Sequence, residues 1–454
     1  MSENTAPIGM RSYKVSKKGI TSIYCIYFIA ALFVLIPACA NPTGGIASIG
    51  FLFASTLIVI IFKDLNCLAM FYLIFLINSS LAEMPIIGTQ LTITAFINLY
   101  LIIVLIIRLI KHRKEKLNYI SIPLIIVWMV YLVYNYILYG FGIWAAVWYC
   151  VPFYISILMC ILVSRKEKYI IHFLTCIIVA FSIVLLTGYV ELFIGKTFFY
   201  SLWKTTPFYR FGILRVGSTL ADPNFMCLID VCCIFVIRTS IVQKIFGKRV
   251  ITILEILAIA QVVVSTSRAG ILALIACFAI EFLCKKKSWM LALIPVVIIT
   301  GAALPAMMDY IFSIDISSTG SRFRVIEAAL VLWRTNPVIG LGNNSFYNAS
   351  YGLIGTRTDT MNVFVQQLVN FGVIGGTFYV LFFITVLKQP VKNVISKVRN
   401  AEIDAKLIAA ISGWLIISFT LDTFSKTLIW LVPALEISLY YIVNNSVKSN
   451  KGNA

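Results

Sequence analysis

The sequence contains very little charge. Only 12% of its 454 residues are Asp, Glu, Lys or Arg, while 61% are hydrophobic, and the mean hydropathy is +0.97. Soluble domains carry about 25% charged residues. This composition excludes a soluble globular enzyme, a disordered chain and a small disulfide-stabilised secreted domain. It indicates a protein that is surrounded mostly by lipid.

Residues that several enzyme classes require are also scarce. The chain has two histidines, His112 and His172, and both fall on the predicted cytoplasmic side. A Ser-His-Asp site on the outer face and a histidine-based metal centre are therefore not expected. The sequence contains no P-loop, which argues against ATP as an energy source. It also lacks a D-x-D pair of the metal-dependent sugar-nucleotide type in an inner loop, so we expect metal-independent chemistry without a cofactor.

Apolar runs of the length of a membrane span recur along the chain. A helix needs about 20 mostly apolar residues to cross the hydrocarbon core. The first run is not followed by a small-residue cleavage site and a soluble domain, so we interpret it as a retained span. The pattern predicts an all-α polytopic membrane protein with about 12–14 transmembrane helices, forming a single integral membrane domain over residues 1–454. The candidate runs are 20–38, 47–62, 66–82, 91–110, 119–138, 145–163, 169–194, 223–241, 249–266, 269–284, 288–310, 362–387, 405–423 and 427–443.

Basic residues are distributed unevenly between the two predicted membrane faces. The chain has 37 Lys and Arg against 18 Asp and Glu, a net charge of +19. Membrane proteins concentrate such residues in cytoplasmic loops. A cytoplasmic N-terminus places every strongly basic segment on that side and predicts that both termini are cytoplasmic. No soluble basic domain is present, so nucleic acid is not an expected partner. The basic residues left outside are Lys196, Lys204, Arg210, Arg215, Arg268, Arg322, Arg324, Arg334, Arg357 and Lys426.

Two predicted outer segments are too long to be simple connections. They cover 195–222 and 311–361, and we interpret them as periplasmic loops. Loops of this length are usually functional or disordered. Apolar residues between 326 and 333 recur at helical spacing, which predicts an amphipathic helix lying on the membrane within the larger loop.

Most of the outer basic residues are arginines, and they fall in distinct motifs. A guanidinium group binds phosphate or carboxylate through two parallel hydrogen bonds. For any single arginine, a lipid headgroup or a neighbouring acid is the better explanation. For a group of arginines on one face, we favour recognition of an anionic substrate.

The first motif is YRFGILRVGSTLADPNF (209–225). Arg210 and Arg215 precede a Gly-Ser-Thr turn, and Asp222 can cap a helix whose first residue is a proline. The helix start would add N–H donors and partial positive charge beside Asn224. We therefore predict that Arg210, Asp222 and Asn224 bind substrate, although a plain capping role explains Asp222 better.

The second motif is STSRAG (265–270), in the tightest predicted outer turn. This turn places Arg268 just outside the hydrocarbon core of the membrane. A charge at that depth is costly unless it has a partner or faces a wet cavity. This makes Arg268 the strongest single candidate for a functional residue.

The third motif begins the amphipathic helix in TGSRFRVIEAALVLWRTNPVIGLGNNSF (319–346). Arg322 and Arg324 are candidate substrate-binding residues, and Glu327 follows them. Because Arg324 and Glu327 are three positions apart, a simple ion pair on one helix face is the alternative.

A glycine turn and a polar helix start complete the series. Gly340 and Gly342 form the turn in GLGNNSF, where the backbone can approach a ligand closely. The fourth motif, TDTMNVFVQQLVNFGVIGG (358–376), introduces Asp359 and Asn362 before a span that contains two glutamines. Polar groups at that depth imply a cavity or a helix contact. Gly340, Gly342, Asp359 and Asn362 are therefore also candidate substrate-binding residues.

Taken together, the four motifs resemble the bacterial O-antigen polymerase and O-antigen ligase superfamily. The resemblance covers roughly residues 209–390, whereas the N-terminal spans match only as generic apolar helices. It rests on the order, spacing and outward placement of RVGSTLADPN (215–224), STSRAG (265–270), Arg324 with Pro337, Gly340, Gly342 and Phe346, and Asn362 with Asn370, Phe371, Gly372 and Gly375.

The resemblance implies a GT-C-like glycosyltransferase in the bacterial inner membrane. Its donor would be a glycan on undecaprenyl pyrophosphate at the periplasmic face. A sugar hydroxyl of the acceptor would attack the anomeric carbon, and the lipid pyrophosphate would leave. The leaving group gains charge as the bond breaks, and fixed cations stabilise that charge without a metal. The family's phosphate-binding arginines are carried over to Arg215, Arg268, Arg322 and Arg324.

One departure from the ligase pattern favours polymerase activity. The ligase branch has a histidine just before the asparagine of the fourth motif, whereas this chain has Met361 before Asn362. The acceptor would then be another lipid-linked repeat unit, and a polysaccharide chain-length regulator is an expected partner. For the general base we rank Glu327 before Asp222 and Asp359, and a sufficiently dissociative transition state would need no base.

Two other functions stay open at the level of sequence. The first is an O-antigen ligase, which transfers finished polymer to lipid A core. The second, from another class, is a polytopic transporter or flippase of lipid-linked sugar. Asp230 and Glu255 lie inside predicted spans and favour a transporter, because transporters keep charges near the bilayer midplane.

Overall fold

The structure is a computed structural model of the chain, and part of the chain is described in it. The predicted runs 288–310 and 427–443 lie outside the described residues. The described residues are 17–40, 46–82, 84–85, 92–111, 122–141, 150, 158, 162, 167–199, 209–210, 212–285, 316–396 and 401–421.

Helices account for most of the described residues. The first seven are α1 (Lys17–Ala40), α2 (Ile46–Phe62), α3 (Leu65–Ile77), α4 (Ser79–Ala82), α5 (Ile93–Lys111), α6 (Ile122–Leu138) and α7 (Glu167–Ile194). A hairpin follows, in which each strand has two residues: β1 (Tyr209–Arg210) and β2 (Ile213–Leu214). A 3₁₀ turn at Ser218–Leu220 comes next. The remaining helices are α8 (Pro223–Ile237), α9 (Ser240–Phe246), α10 (Lys248–Val264), α11 (Arg268–Lys285), α12 (Ile316–Trp333), α13 (Ser345–Ile354), α14 (Val363–Ile395) and α15 (Ala401–Ser418).

The fold confirms the prediction of an all-helical polytopic membrane protein. By length and composition, four described helices can cross a membrane: α1, α5, α7 and α14, the last of which is broken at Gly372. The pair α8 and α9, bent by 83°, makes a fifth if it counts as one broken span. Helices α2, α3 and α6 are apolar but shorter. The count of 12–14 and the GT-C-like architecture remain predictions.

Helix α15 lies antiparallel to both α8 and α11 in the buried core, because Lys406 near its start contacts Arg238 just after α8, and Arg238 pairs with Glu281 near the end of α11. The Sγ of Cys232 lies 3.5 Å from the carbonyl oxygen of Ala410, and the Sγ of Cys277 lies 3.1 Å from that of Ala409. A Cβ at Gly413 would lie 2.5 Å from the Sγ of Cys277, so glycine permits this close packing. The end of α15 therefore lies beside the starts of α8 and α11. We call this end of the bundle the upper end.

Ion pairs connect the helices at the opposite, lower end. Arg238, which follows α8, lies 3.0 Å from the carboxylate of Glu255 on α10 and 3.1 Å from that of Glu281 on α11. Its guanidinium carbon also lies 4.9 Å from the centre of the Phe278 ring. The Nζ of Lys406 donates to the carbonyl oxygen of Arg238 at 2.8 Å. These contacts tie α8, α10, α11 and α15 together.

Helix α14 folds back on itself at Gly372. This glycine has φ 64° and ψ −168°, a conformation outside the helical region. The rings of Phe364 and Tyr379 lie 5.5 Å apart, although 15 residues of straight helix would separate them by about 22 Å. A Cβ at Gly376 would lie 3.0 Å from the side chain of Leu368, so the two arms pack closely. We call residues 363–371 the short arm and residues 373–395 the long arm.

Candidate active site

Arg215 connects the first two motifs. Its Nε donates to the carbonyl oxygen of Ser265 at 3.1 Å, and its Nη2 donates to the Oδ1 of Asn224 at 3.3 Å. The side chain is half-buried between β2 and the 3₁₀ turn. Two segments separated by 50 residues are thus joined around one guanidinium group.

The serine turn of the second motif places Arg268 at the start of α11. The Oγ of Ser267 accepts from the backbone N–H of Gly270 at 3.3 Å, as an N-cap residue does. The same hydroxyl donates to the Oδ1 of Asn224 at 2.8 Å. Asn224 is therefore a shared partner of Arg215 and Ser267. Half-buried Arg268 is the first residue of α11 and directly follows this junction.

Asp222 is the N-cap of α8. Its Oδ1 accepts from the backbone N–H groups of Asn224 at 2.7 Å and Phe225 at 3.2 Å. This is the structural role that the sequence favoured for Asp222. The cap fixes the first turn of α8 and therefore the position of Asn224.

Asn362 brings the fourth motif to the upper end. Its Oδ1 accepts from the N–H groups of Phe364 at 3.0 Å and Val365 at 3.1 Å, so it caps the short arm. Its Nδ2 donates to the carbonyl oxygen of Phe419, just beyond α15, at 3.2 Å. Because α15 ends beside the starts of α8 and α11, three helix N-termini lie at the upper end. The partial positive charges of these helix N-termini add to the full charges of Arg215 and Arg268.

Part of the third motif forms helix α12, which packs through one face. Val325 and Ala329 are buried against Phe346 of α13 and Val369 of the short arm. The predicted pattern of one apolar face thus corresponds to a helix over Ile316–Trp333.

Two of the charged candidates of the third motif, Arg324 and Glu327, lie away from this buried face. Arg324 and Glu327 are exposed, and Arg322 is half-buried. Among the described residues, no ion pair joins Arg324 to Glu327. The structure therefore does not support the simple pair that the spacing allowed.

The glycine turn contacts the break in α14. The N–H of Leu341 donates to the carbonyl oxygen of Val369 at 2.8 Å, and the N–H of Gly342 donates to that of Asn370 at 2.9 Å. A Cβ at Gly340 would lie 2.5 Å from the backbone of Asn370. Gly340 and Gly342 have φ values of 77° and 89°, which favour glycine. In this structure the glycine turn donates two N–H groups to carbonyl oxygens at the break, and Gly340 permits the close approach, a role that the sequence did not predict.

Two side chains of α6 and that of Tyr139, directly after it, hold the glycine turn in place, and sequence reasoning missed them. The hydroxyl of Tyr131 donates to the carbonyl oxygen of Phe371 at 2.7 Å, and the Nδ2 of Asn135 donates to that of Ile339 at 3.0 Å. The hydroxyl of Tyr139 donates to the carbonyl oxygen of Gly340. The i, i+4, i+8 spacing of the three side chains marks one helix face. That spacing was the available signal.

Glu191 was also missed, although it is a carboxylate in an apolar run. It lies near the end of α7 and has no exposed surface. Its oxygens accept from the N–H groups of Phe198 at 2.8 Å, Gly217 at 3.2 Å and Ser218 at 2.8 Å. Glu191 thereby reaches the segment that carries Arg215.

The other predicted residues are placed as follows. The backbone of Arg210 pairs with Ile213 in the hairpin, while its side chain is not among those described. Asp359 is exposed in the segment before Asn362, and Arg334 and Arg357 are exposed as well. Within the described residues, no three His, Cys, Asp or Glu side chains lie together in a group that could hold a metal ion.

One comparison with known proteins identifies a domain in this region. Residues 253–380 match the model of a family described as O-antigen ligase. The matched segment contains the second, third and fourth motifs, including the serine turn and the fold-back of α14, but not the first motif. No curated protein matches the chain significantly. Members of the matched family are glycosyltransferase-like enzymes that act as polymerases or ligases. The chain thus carries an O-antigen ligase family domain at residues 253–380, which confirms the resemblance to the O-antigen polymerase and ligase superfamily.

Proposed function

We propose that this protein polymerises oligosaccharide repeat units linked to undecaprenyl pyrophosphate, at the periplasmic face of the bacterial inner membrane. The product would be O-antigen or a related surface polysaccharide. The junction of Arg215, Asn224 and Ser267 beside Arg268 carries the proposal. It brings two types of anion-binding element, guanidinium groups and helix N-termini, to one end of the bundle.

The leaving group determines what these residues must do. In the proposed reaction, an acceptor hydroxyl oxygen forms a bond to the anomeric carbon of the donor glycan. The bond between that carbon and the pyrophosphate oxygen breaks, and the electron pair leaves with the lipid pyrophosphate. Arg215 and Arg268 would stabilise the charge that develops on this oxygen. Because hydrogen bonds to Ser265 and Asn224 hold the Arg215 guanidinium before the reaction, it needs little reorganisation.

The acceptor hydroxyl must also lose its proton, and we assign this step to Glu327. Glu327 is exposed on α12, whose other face packs on α13 and the short arm. We expect the Glu327→Gln variant to lower kcat by about 10²- to 10⁴-fold, because general base catalysis contributes that much. The rate at saturating donor, measured with purified protein and a lipid-linked repeat unit, tests this.

The matched control for this variant is Glu402→Gln. Glu402 is an exposed carboxylate on α15, at the lower end of the bundle, and pairs with Lys406. Wild-type turnover by both variants would contradict the assignment and favour a dissociative transition state that needs no protein base.

The ligase function remains the nearest alternative. The family match at 253–380 is compatible with either activity. Met361 stands where the ligase branch has a histidine, and this supports polymerase over ligase. In the ligase reaction the same pyrophosphate would leave, but the acceptor would be lipid A core instead of another lipid-linked unit.

The transporter alternative loses part of its support. Of the two carboxylates that favoured it, Glu255 forms an ion pair with Arg238 at the lower end. Asp230 is fully buried, and neither of its oxygens has a hydrogen-bond partner. A lone buried carboxylate of this kind does not define a transport pathway.

Deletion of the gene separates the three functions in one experiment. A polymerase mutant would display lipid A core that carries a single repeat unit on a polysaccharide gel. Bare core with accumulated lipid-linked polymer would identify a ligase, and lipid-linked single units retained on the cytoplasmic side would identify a flippase. The first pattern is expected, and either of the other two would overturn the proposal. Co-purification would test the proposed chain-length regulator.

A further inference from the structure

Glu191 lies in a backbone concavity next to Arg215. Gly217 has φ −106° and ψ −14°, and Ser218 has φ 53°, so consecutive residues adopt right-handed and left-handed conformations. Such a pair directs successive N–H groups toward one point and forms an anion-binding nest. Here the Oε2 of Glu191 occupies the nest and accepts from both N–H groups.

The nest directly continues the segment that carries Arg215. Gly217 is two residues after Arg215, and a Cβ there would lie 2.6 Å from the backbone carbon of Ala221. The hydroxyl of Ser218 donates to the carbonyl oxygen of Val184 on α7 at 2.6 Å. The turn is thus fixed to α7 by a carboxylate and a hydroxyl, which leaves little freedom for the backbone of Arg215.

A second carboxylate oxygen extends the connection to another segment. The Oε1 of Glu191 accepts from the N–H of Phe198, which follows α7. Both oxygens are therefore used, and all three donors are backbone N–H groups. A carboxylate can accept all three bonds because it has only acceptor sites. A glutamine would place an amide NH₂ against at least one N–H donor.

We infer that Glu191 is a positioning residue that acts on the reaction through Arg215. It holds the 215–218 turn so that the guanidinium group of Arg215 meets the diphosphate of the lipid-linked donor. This inference rests on the proposed function. It assigns Glu191 no contact with substrate.

A double-mutant cycle between Glu191→Gln and Arg215→Ala tests the inference. We expect Glu191→Gln to lower kcat/KM for the lipid-linked repeat unit by about 10- to 100-fold, since a displacement of about 1 Å can cost 10²-fold. In the Arg215→Ala background the same change should cost less than about 3-fold, because the group it positions is gone. The inference would be overturned if the loss in kcat/KM of the double variant equalled the product of the two single losses. Wild-type activity of Glu191→Gln would also overturn it.

The control variant is Asp230→Asn, which also removes a fully buried carboxylate. Asp230 makes no hydrogen bond through its oxygens, so wild-type kcat/KM is expected. An equal loss in both variants would show a general effect of replacing a buried carboxyl group and would contradict a role specific to Glu191.

A readout without substrate separates this inference from the proposed function. Phenylglyoxal modifies arginine side chains, and mass spectrometry follows the modification of Arg215 in folded, monodisperse protein. The labelling rate of Arg215 should rise several-fold in Glu191→Gln and stay at the wild-type rate in Asp230→Asn. An unchanged rate in Glu191→Gln would refute the positioning role. Failure of the wild-type protein to elongate the repeat unit would instead refute the proposed function.

Discussion

Replacing Arg268 by alanine is expected to abolish chain growth. Arg268 is the first residue of α11 and directly follows the Ser267 cap, so its charge is placed at a helix N-terminus. Loss of one fixed donor to a developing oxyanion costs about 10²- to 10³-fold in kcat. The surface polysaccharide of a deletion strain that expresses Arg268→Ala should therefore stop at one repeat unit on a gel.

The Arg268→Lys variant separates charge from geometry. Lysine keeps the charge but lacks the planar fork that binds two phosphate oxygens in parallel. We expect it to lose at least about 10-fold in rate and to produce only short polymer. The matched control is Arg334→Ala, because Arg334 is an exposed arginine just beyond α12. Full-length polymer from both Arg268 variants would count heavily against the diphosphate site.

Replacing Gly372 by alanine is expected to disrupt the fold-back of α14. At φ 64° and ψ −168° the backbone is strained for any residue with a Cβ, and the added Cβ would lie 2.1 Å from the carbonyl oxygen of Val338. We expect a loss of about 3 kcal/mol or more in the free energy of unfolding, from strain and this contact together. Thermal melting of the purified variant, with polymer length in the deletion strain, measures the effect.

Gly352 provides the matched glycine control. It lies within α13, has no positive φ, and a Cβ there would contact nothing within 4 Å. Gly352→Ala should leave activity unchanged and add up to about 1 kcal/mol of helix stability. Equal melting temperatures for the wild-type protein and Gly372→Ala would show that the break at Gly372 is not required.

Local features of the site followed directly from the sequence. The proline after Asp222 predicted one helix start, and the position of Asn362 before an apolar run predicted another. The side chains of Asp222 and Asn362 cap these two helices. The spacing of apolar residues in the third motif predicted a helix, and α12 covers it. These features depend on residues within one or two turns, where sequence periodicity is informative.

Long-range contacts at the site could not be predicted from the sequence. The roles of Gly340 and Gly342 depend on the carbonyl groups next to the break at Gly372, and the apolar run 362–387 does not reveal that break. The hydrogen bond from Tyr139 to Gly340 joins residues that are 201 positions apart. The sequence alone does not show that the 217–218 turn lies against Glu191. Each case depends on two segments that meet only in the folded chain.

Reconstituted turnover tests the central claim most directly. Purified protein in lipid nanodiscs would receive an undecaprenyl-pyrophosphate-linked repeat unit, and both polymer and released undecaprenyl pyrophosphate would be quantified. We predict one released lipid pyrophosphate per added unit, and no turnover by Arg268→Ala. Undecaprenyl pyrophosphate should inhibit the reaction competitively. This inhibition should weaken at least about 10-fold in Arg215→Ala, because one charged contact is lost. Polymer formation that is independent of both arginines, or inhibition that neither variant changes, would contradict the central claim.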